Sequence, residues 1–194
     1  MIDICSPEQS QPGCKALKNR TLLTNLLLGT MLCLLPASML GQTPGSSQRE
    51  AIKKLDFLVG QWKGDAWIQL GPGERHTAVQ TESVQTKLNG VLLLIEGLGK
   101  ERGVTVHDAL AVVSYDEGKG QYRIRAYRSD GTSVDAEAEV TQGGLQWGFD
   151  DPRAGTIRFT IKLTDSGQWH EIGESSRDGK TWYKFLEMNL HRTN

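Results

Sequence analysis

The chain has 194 residues and a formal net charge of −1, which leaves room for one domain with a substantial core and little room for a second. A near-neutral chain without a clustered basic surface argues against a nucleic-acid partner. The spacing motifs of metal sites, nucleophile elbows and phosphate-binding loops are absent from the sequence, so we predict no metal site and assign no catalytic residue.

The first segment, residues 1–41, has the composition of an export signal. Three basic side chains precede the apolar run from Thr21 to Leu40, which contains small residues near its end. This order is the pattern of a secretory signal peptide. We therefore expect cleavage after Ala37 or Gly41 and an extracytoplasmic protein, periplasmic or secreted, without stable membrane insertion. The alternative is a single membrane anchor, because about 20 apolar residues can span a bilayer.

All three cysteines, Cys5, Cys14 and Cys33, lie in this leader. Cleavage would leave a mature domain without cysteine, which excludes disulfides, thiolate metal sites and iron–sulfur clusters from it. The core alone must then hold the mature domain together.

A linker, residues 42–48, precedes a predicted short amphipathic helix. Ser47 and Glu50 have the spacing of a capping box. Gly60 stands where a glycine commonly follows a helix. The apolar residues between them recur at helical spacing and are Ala51, Ile52, Leu55, Leu58 and Val59.

From Gly60 onward the helical period disappears, and about ten short extended segments alternate with turns. Asn89-Gly90 and Asp178-Gly179 are strong hairpin signals. No connection is long enough for a crossover helix, so the strands must pair antiparallel. Ten strands leave two unpaired edges unless the sheet closes. We predict an all-β fold, an antiparallel up-and-down barrel over residues 49–194 with one short N-terminal helix; a two-sheet sandwich is the alternative.

The predicted strands show which of their faces is buried. Residues 134–140, 145–149 and 157–163 alternate between apolar and polar side chains, as a barrel wall requires. Residues 91–99 are apolar on both sides, and the N-terminal helix is a candidate cover for their outer face. The predicted inward residues include many alanines and glycines, and ten strands enclose more space than eight, so we expect an internal cavity.

Two stretches near the ends of the predicted barrel resemble known families. They are Phe57-Leu58-x-Gly60-x-Trp62-x-Gly64 and Ser176-x-Asp178-Gly179-x-x-Trp182. A short helix followed by G-x-W resembles the calycin pattern of lipocalins and fatty-acid-binding proteins. The opening stretch is more similar to the G-x-W-x-G-x-G of nitrobindin-like barrels, with Ala66 at the third glycine.

Both stretches together resemble a bacterial secreted family of unknown function. The resemblance implies a barrel with an internal cavity and, for that family, no established activity. Nitrobindins bind haem through a histidine near the C-terminus. If this chain shares that property, the resemblance points to His191, with His170 on the preceding strand, as the haem ligands.

Our favoured hypothesis is an extracytoplasmic, non-enzymatic protein that carries or senses a small apolar or amphipathic ligand, such as a lipid-like acid, and needs no cofactor. The side chains predicted to meet the ligand are Trp62, Glu96, Arg125, Tyr127, Trp147, Phe159 and Met188. For Trp62 the alternative is core packing, as a plug at one end of the barrel beneath the helix.

An enzyme is the remaining alternative. Glu96 and Glu187 each interrupt an apolar strand and could face the interior near Arg125. A carboxyl group there could act as a general acid or base if burial raised its pKa. Equally, both could lie on the solvated wall, because the sequence leaves the facing of their strands open.

Overall fold

The computed structural model describes residues 43–193, so the predicted signal and its cleavage sites lie outside the described residues. Within this range a helix α1 (Ser46–Lys53) and a 3-10 turn (Asp56–Leu58) precede ten strands. The strands are β1 (Gly60–Ile68), β2 (His76–Lys87), β3 (Leu92–Glu101), β4 (Val104–Asp116), β5 (Gln121–Arg128), β6 (Ser133–Thr141), β7 (Gly144–Asp151), β8 (Gly155–Leu163), β9 (Trp169–Ser176) and β10 (Tyr183–Thr193).

The ten strands form a closed antiparallel barrel. Each strand pairs with its neighbours in sequence, and β1 pairs with β10 to complete the ring. Closure leaves no strand edge unpaired, which removes the main liability of a long meander. The predicted all-β barrel is therefore confirmed, and the two-sheet sandwich is excluded.

Side chains alternate between the interior and the outer face of the barrel, as strand geometry dictates. On β8, Ile157 and Ile161 are buried while Thr156 and Lys162 are exposed. Trp147 of β7 lies opposite Phe159 of β8, so the two face the same side. Ala138 of β6 lies opposite Trp147 in turn, so the inward faces predicted for β6, β7 and β8 are confirmed.

The N-terminal helix closes one end of the barrel. Ile52, Leu55 and Leu58 are fully buried in the same apolar cluster as the inward-facing Trp62 and Leu93. At this end the Tyr122 hydroxyl also donates a hydrogen bond of 2.8 Å to the Ala51 carbonyl. The helix segment thus contributes to the core, which differs from the predicted cover over the outer face of β3.

The local details of the helix also differ from the sequence expectation. The helix starts after Gly45 without a side-chain cap, and Ser47 lies within it and donates its hydroxyl to Glu117, 2.6 Å away. The predicted capping box is therefore absent. The helix ends at Lys53, and Gly60 begins β1 with a φ of 136°.

Trp62 is the central side chain of the closed end. It is 1% exposed, and its indole nitrogen donates a 2.7 Å hydrogen bond to the Leu58 carbonyl. Its ring meets the edge of Trp169 at a centroid distance of 5.6 Å. The Arg192 guanidinium lies 4.2 Å from the ring centroid and donates to the carbonyls of Val59 and Phe57. Trp62 therefore joins the 3-10 turn to the first and last strands of the barrel.

Gly64 allows the first and last strands to approach closely. A Cβ atom added at Gly64 would collide with the Asn189 carbonyl oxygen of β10. Because the obstacle is backbone, no side-chain rotation relieves the collision. Glycine at this position is thus a condition for the strand pair that closes the barrel.

In residues 43–193, none of the helices has both the length and the apolar character that crossing a bilayer would require.

We expect Gly64→Ala to lower the free energy of unfolding by about 1–3 kcal/mol, as inserted volume does in a packed site. Gly73→Ala is the matched control, because a Cβ atom there would meet nothing within 4 Å; its effect should stay within about 0.5 kcal/mol. Urea unfolding followed by tryptophan fluorescence measures both. Equal stabilities for the two variants would contradict the proposed role of Gly64.

Candidate functional site

The interior of the barrel holds a cavity of about 1650 Å³. It extends from the closed end to the loops at the opposite end, where Asp130 and Arg177 line it. Both of these residues are exposed, so the cavity opens to solvent on that side. The interior of this barrel is therefore not filled by its own side chains.

Aromatic and small side chains share the walls of the cavity. Trp147 stacks on Phe159 with centroids 4.4 Å apart, and Phe185 meets the edge of Phe159 at 5.8 Å. Ala109 and Ala111 of β4 also line the cavity. The aromatic rings provide apolar contact area, while the alanines leave the volume open.

Two carboxyl groups, Glu82 of β2 and Glu171 of β9, are buried at the bottom of the cavity. They are 5% and 7% exposed, and both line the cavity. Glu82 accepts a 2.7 Å hydrogen bond from the Gln80 side-chain amide, and Glu171 accepts a 3.1 Å bond from the Trp169 indole. We call Glu82 and Glu171 the floor pair.

Burial changes the protonation of the floor pair. Loss of hydration raises the pKa of Glu82 to about 7, although the bond from Gln80 opposes this rise. Burial, followed by the charge of Glu82, raises the pKa of Glu171 to about 8. A buried carboxyl group commonly takes up a proton when no cation compensates its charge. Within residues 43–193, no Lys, Arg or His nitrogen lies within 4.0 Å of either group.

Glycine makes room for the floor pair. A Cβ atom added at Gly97 would lie 2.8 and 2.9 Å from the two carboxylate oxygens of Glu82. Gly97 lies directly opposite Glu82 in the β2–β3 register. The missing side chain on β3 therefore provides the space in which the Glu82 carboxyl group sits.

Basic side chains line the cavity on β4 and β5. His107 and Arg128 both line it. Burial, and then the charge of Arg128, lower the pKa of His107. A lowered pKa favours the neutral form of His107, and Arg128 places a guanidinium group on the same wall.

Three of the seven predicted ligand contacts line the cavity: Trp147, Phe159 and Met188. Trp62 does not line it, because its indole is packed in the closed end; its placement matches the core-packing alternative.

Glu96, Arg125 and Tyr127 lie on the outer face, which corrects the expectation that they line the interior. Glu96 is exposed, Arg125 pairs with Asp135 at 3.1 Å, and Tyr127 is 49% exposed. The reason is that side chains alternate along a strand. Ile95 of β3 and Ile124 of β5 point inward, so residues one or three positions away from them point outward.

The predicted haem ligands also lie outside the cavity. His170 pairs through Nε2 with Glu187 at 3.0 Å, and neither His170 nor His191 lines the cavity. The two histidines therefore do not fit a haem bound inside the barrel. Within residues 43–193, no group of three potential metal ligands is found.

Glu187 belongs to a cluster of polar side chains on the outer face of the barrel, together with His170. Its carboxylate also accepts hydrogen bonds from Lys184 at 2.9 Å and from the Trp67 indole at 3.1 Å. The bonds from Lys184 and His170 lower the pKa of Glu187 to about 2. Glu187 is thus a permanently charged surface group, which corrects its predicted role as an interior acid or base.

Glu82 and Glu171 are not among the residues predicted from the sequence. Glu82 lies between Thr81 and Ser83, in a segment with polar residues on both faces. Such a segment carries no alternation from which the buried face can be read. The available signal was indirect, namely glycine at positions 97 and 99 on the neighbouring apolar strand.

Comparison with known proteins identifies a family and solved structures of similar fold. A family described as "Protein of unknown function (DUF1579)" matches residues 47–192. The crystal structure of Rv2717c from M. tuberculosis is similar in fold, with a TM-score of 0.56 and 12% sequence identity over 74% of this chain and 98% of that one. No curated protein matches the sequence.

The raised pKa values predict a pH-dependent stability. The folded chain keeps protons on the floor pair that the unfolded chain releases above its ordinary carboxyl pKa of 4.5. The free energy of unfolding should therefore fall as the pH rises from about 4.5 to about 8. Urea unfolding at several pH values measures this slope.

The double variant Glu82→Gln/Glu171→Gln should show a smaller slope, because neither amide titrates. Glu96→Gln, on the outer face, is the control and should keep the wild-type slope. If the double variant retains the full wild-type slope, the floor pair is not its cause.

Proposed function

Since the chain belongs to the DUF1579 family, whose function is unknown, we propose its function from the barrel interior: it binds a small apolar or amphipathic molecule there and carries or senses it. The observation that supports this most directly is the cavity of about 1650 Å³. Ligand pockets for drug-sized molecules commonly measure about 300–1,000 Å³. The interior is large enough for such a molecule with ordered water beside it.

The wall chemistry supports an apolar body for this ligand. Trp147, Phe159 and Met188 present aromatic and thioether surface to the cavity, and such surface gains free energy when it is removed from water. Polar groups lie at defined places, with the floor pair at the bottom and charged side chains such as Asp130 and Arg177 at the open end, and placed polar groups are typical of sites that orient an amphipathic molecule. The resemblance of the opening motif to lipocalins and nitrobindins is consistent with this proposal.

We place this function outside the cytoplasm, because residues 1–41 have the composition of a signal peptide. Sequencing the N-terminus of the protein recovered from a cell fraction tests both cleavage and location. A mature chain that begins within or just after residues 38–42, recovered from the periplasm or the medium, is the expected result. An uncleaved chain in the membrane fraction would favour the anchor.

A second candidate function is acid–base catalysis inside the cavity. The floor pair favours it, since carboxyl groups with pKa values of about 7 and 8 exchange protons readily at neutral pH. The prediction made for Glu96 and Glu187 is thereby moved to Glu82 and Glu171. A turnover screen with hydrolase and isomerase substrates tests it, and activity retained by Glu82→Gln/Glu171→Gln would exclude the pair as its source.

A cavity-filling substitution tests the binding proposal. Ala109→Trp would place an indole into the cavity, so we expect a large loss of affinity for a fluorescent fatty-amine or fatty-acid analogue. Leu110→Trp is the matched control, because the next residue on β4 points to the outer face. Fluorescence titration measures both, and circular dichroism verifies the fold. Unchanged affinity in Ala109→Trp would contradict binding inside the barrel.

A further inference from the structure

Among the described residues, the floor pair has two oxygen atoms that accept no hydrogen bond from the protein. Among the described residues, one oxygen of Glu82 receives a hydrogen bond from Gln80, and one oxygen of Glu171 receives a bond from Trp169. The second oxygen of each carboxyl group has no protein donor. Both side chains are more than nine-tenths buried and line the cavity. The floor therefore presents oxygen atoms that a ligand's donor group can satisfy.

We propose that the floor pair selects an amphipathic amine, a molecule with an apolar body and a terminal ammonium group that reaches Glu82 and Glu171. This inference rests on the proposed function and names the chemical class of its ligand. An ammonium group carries three donors and no acceptor, so it complements the unpartnered carboxylate oxygens. Charge-assisted hydrogen bonds of this kind are stronger than neutral ones.

The same geometry disfavours a lipid-like acid with its head group at the floor. A ligand carboxylate there would meet two carboxyl groups and no cation within 4.0 Å of them among the described residues. Each group of the floor pair that ionises would repel the ligand carboxylate, because like charges at short range raise the free energy of the complex. The basic side chains His107 and Arg128 line other parts of the wall, on β4 and β5.

The walls set the shape of the amine. Along β2, Glu82 lies six positions from His76 at the open end of the barrel. At about 3.3 Å per residue this is about 20 Å of strand, and a tilt of about 40° reduces it to about 15 Å of depth. An elongated ligand with its ammonium group at the floor fits this depth, and its apolar body then meets Trp147 and Phe159.

Binding also moves a proton. The floor pair holds at least one proton near neutral pH, because its pKa values are about 7 and 8. An alkylammonium ion favours the ionised carboxylates, so the pair releases that proton to solvent when the ion binds. Other ionisable side chains line the cavity as well: burial lowers the pKa of His107, and His76, Glu101, Arg128 and Asp130 lie towards the open end.

Three probes of equal chain length test the inference: dodecylamine, 1-dodecanol and dodecanoic acid, each titrated against the full chain below its aggregation concentration. We expect the amine to bind about tenfold or more tightly than the alcohol at pH 7.5, and the acid to bind least. The amine affinity should increase from pH 6 to pH 8, because the floor pair ionises while the amine, with a pKa near about 10.4, stays charged. The alcohol affinity should not change.

Matched variants test whether the floor pair causes the preference for the amine. Glu82→Gln/Glu171→Gln should lose the preference for the amine over the alcohol, whereas Glu96→Gln on the outer face should keep it. If the double variant does not fold, the amine-to-alcohol ratio and its pH dependence in the wild type decide the question.

The outcomes separate the two proposals. Equal affinities for the three probes, or a preference for dodecanoic acid, would overturn the amine inference and leave the binding proposal in place. Failure of every probe to bind would overturn the binding proposal, and the amine inference with it. A preference for the amine that survives in the folded double variant would also overturn the role of the floor pair.

Discussion

Pairing of β1 with β10 is the constraint on which the rest of the structure depends. This ladder closes the barrel, and it requires a glycine at position 64, where any side chain would collide with the backbone of Asn189. Trp62, two residues earlier, connects the same pair of strands to the 3-10 turn through Leu58 and Arg192. The alternation of tryptophan and glycine at the start of β1 thus has two purposes, a filled end and a close strand contact.

Closure at one end makes the other end available for binding. The N-terminal helix and Trp62 fill one end of the barrel with apolar side chains, and the cavity extends to the exposed loops of the other end. Its bottom is not apolar throughout, because Glu82 and Glu171 are buried there. Two unpaired buried carboxyl groups reduce the stability of a fold unless they hold protons. Their burial without a cation beside them is the feature that a purely structural role explains least well.

Outer-face polar groups show the contrasting case. Arg125 pairs with Asp135, and Glu187 accepts bonds from Lys184 and His170, all at the surface of the wall. There the pKa of Glu187 falls to about 2 because donors surround its carboxylate, while burial without cations raises the pKa of Glu171 to about 8. The same chemical group is thus charged on one side of the wall and protonated near neutral pH on the other. Environment, and not residue type, decides which carboxyl group can respond to a ligand.

The sequence by itself determined the number of strands, their antiparallel order and the inward faces of β6, β7 and β8, because turn residues and strict alternation are local signals. It also indicated a cavity, since the predicted inward positions of the barrel include small residues such as Ala109, Ala111, Ala136 and Ala138. Only the tertiary structure decided the facing of β2, β3 and β5. Thr81, Glu82 and Ser83 are all polar, and residues 91–95 are all apolar, so neither segment shows which side is buried. A shift of one residue in the pairing reverses which face of a strand is buried. Closure of the ring pairs residues far apart in the chain and thereby selects one of these two facings. That selection turned Glu96 outward and brought Glu82 and Glu171 to the floor of the same cavity.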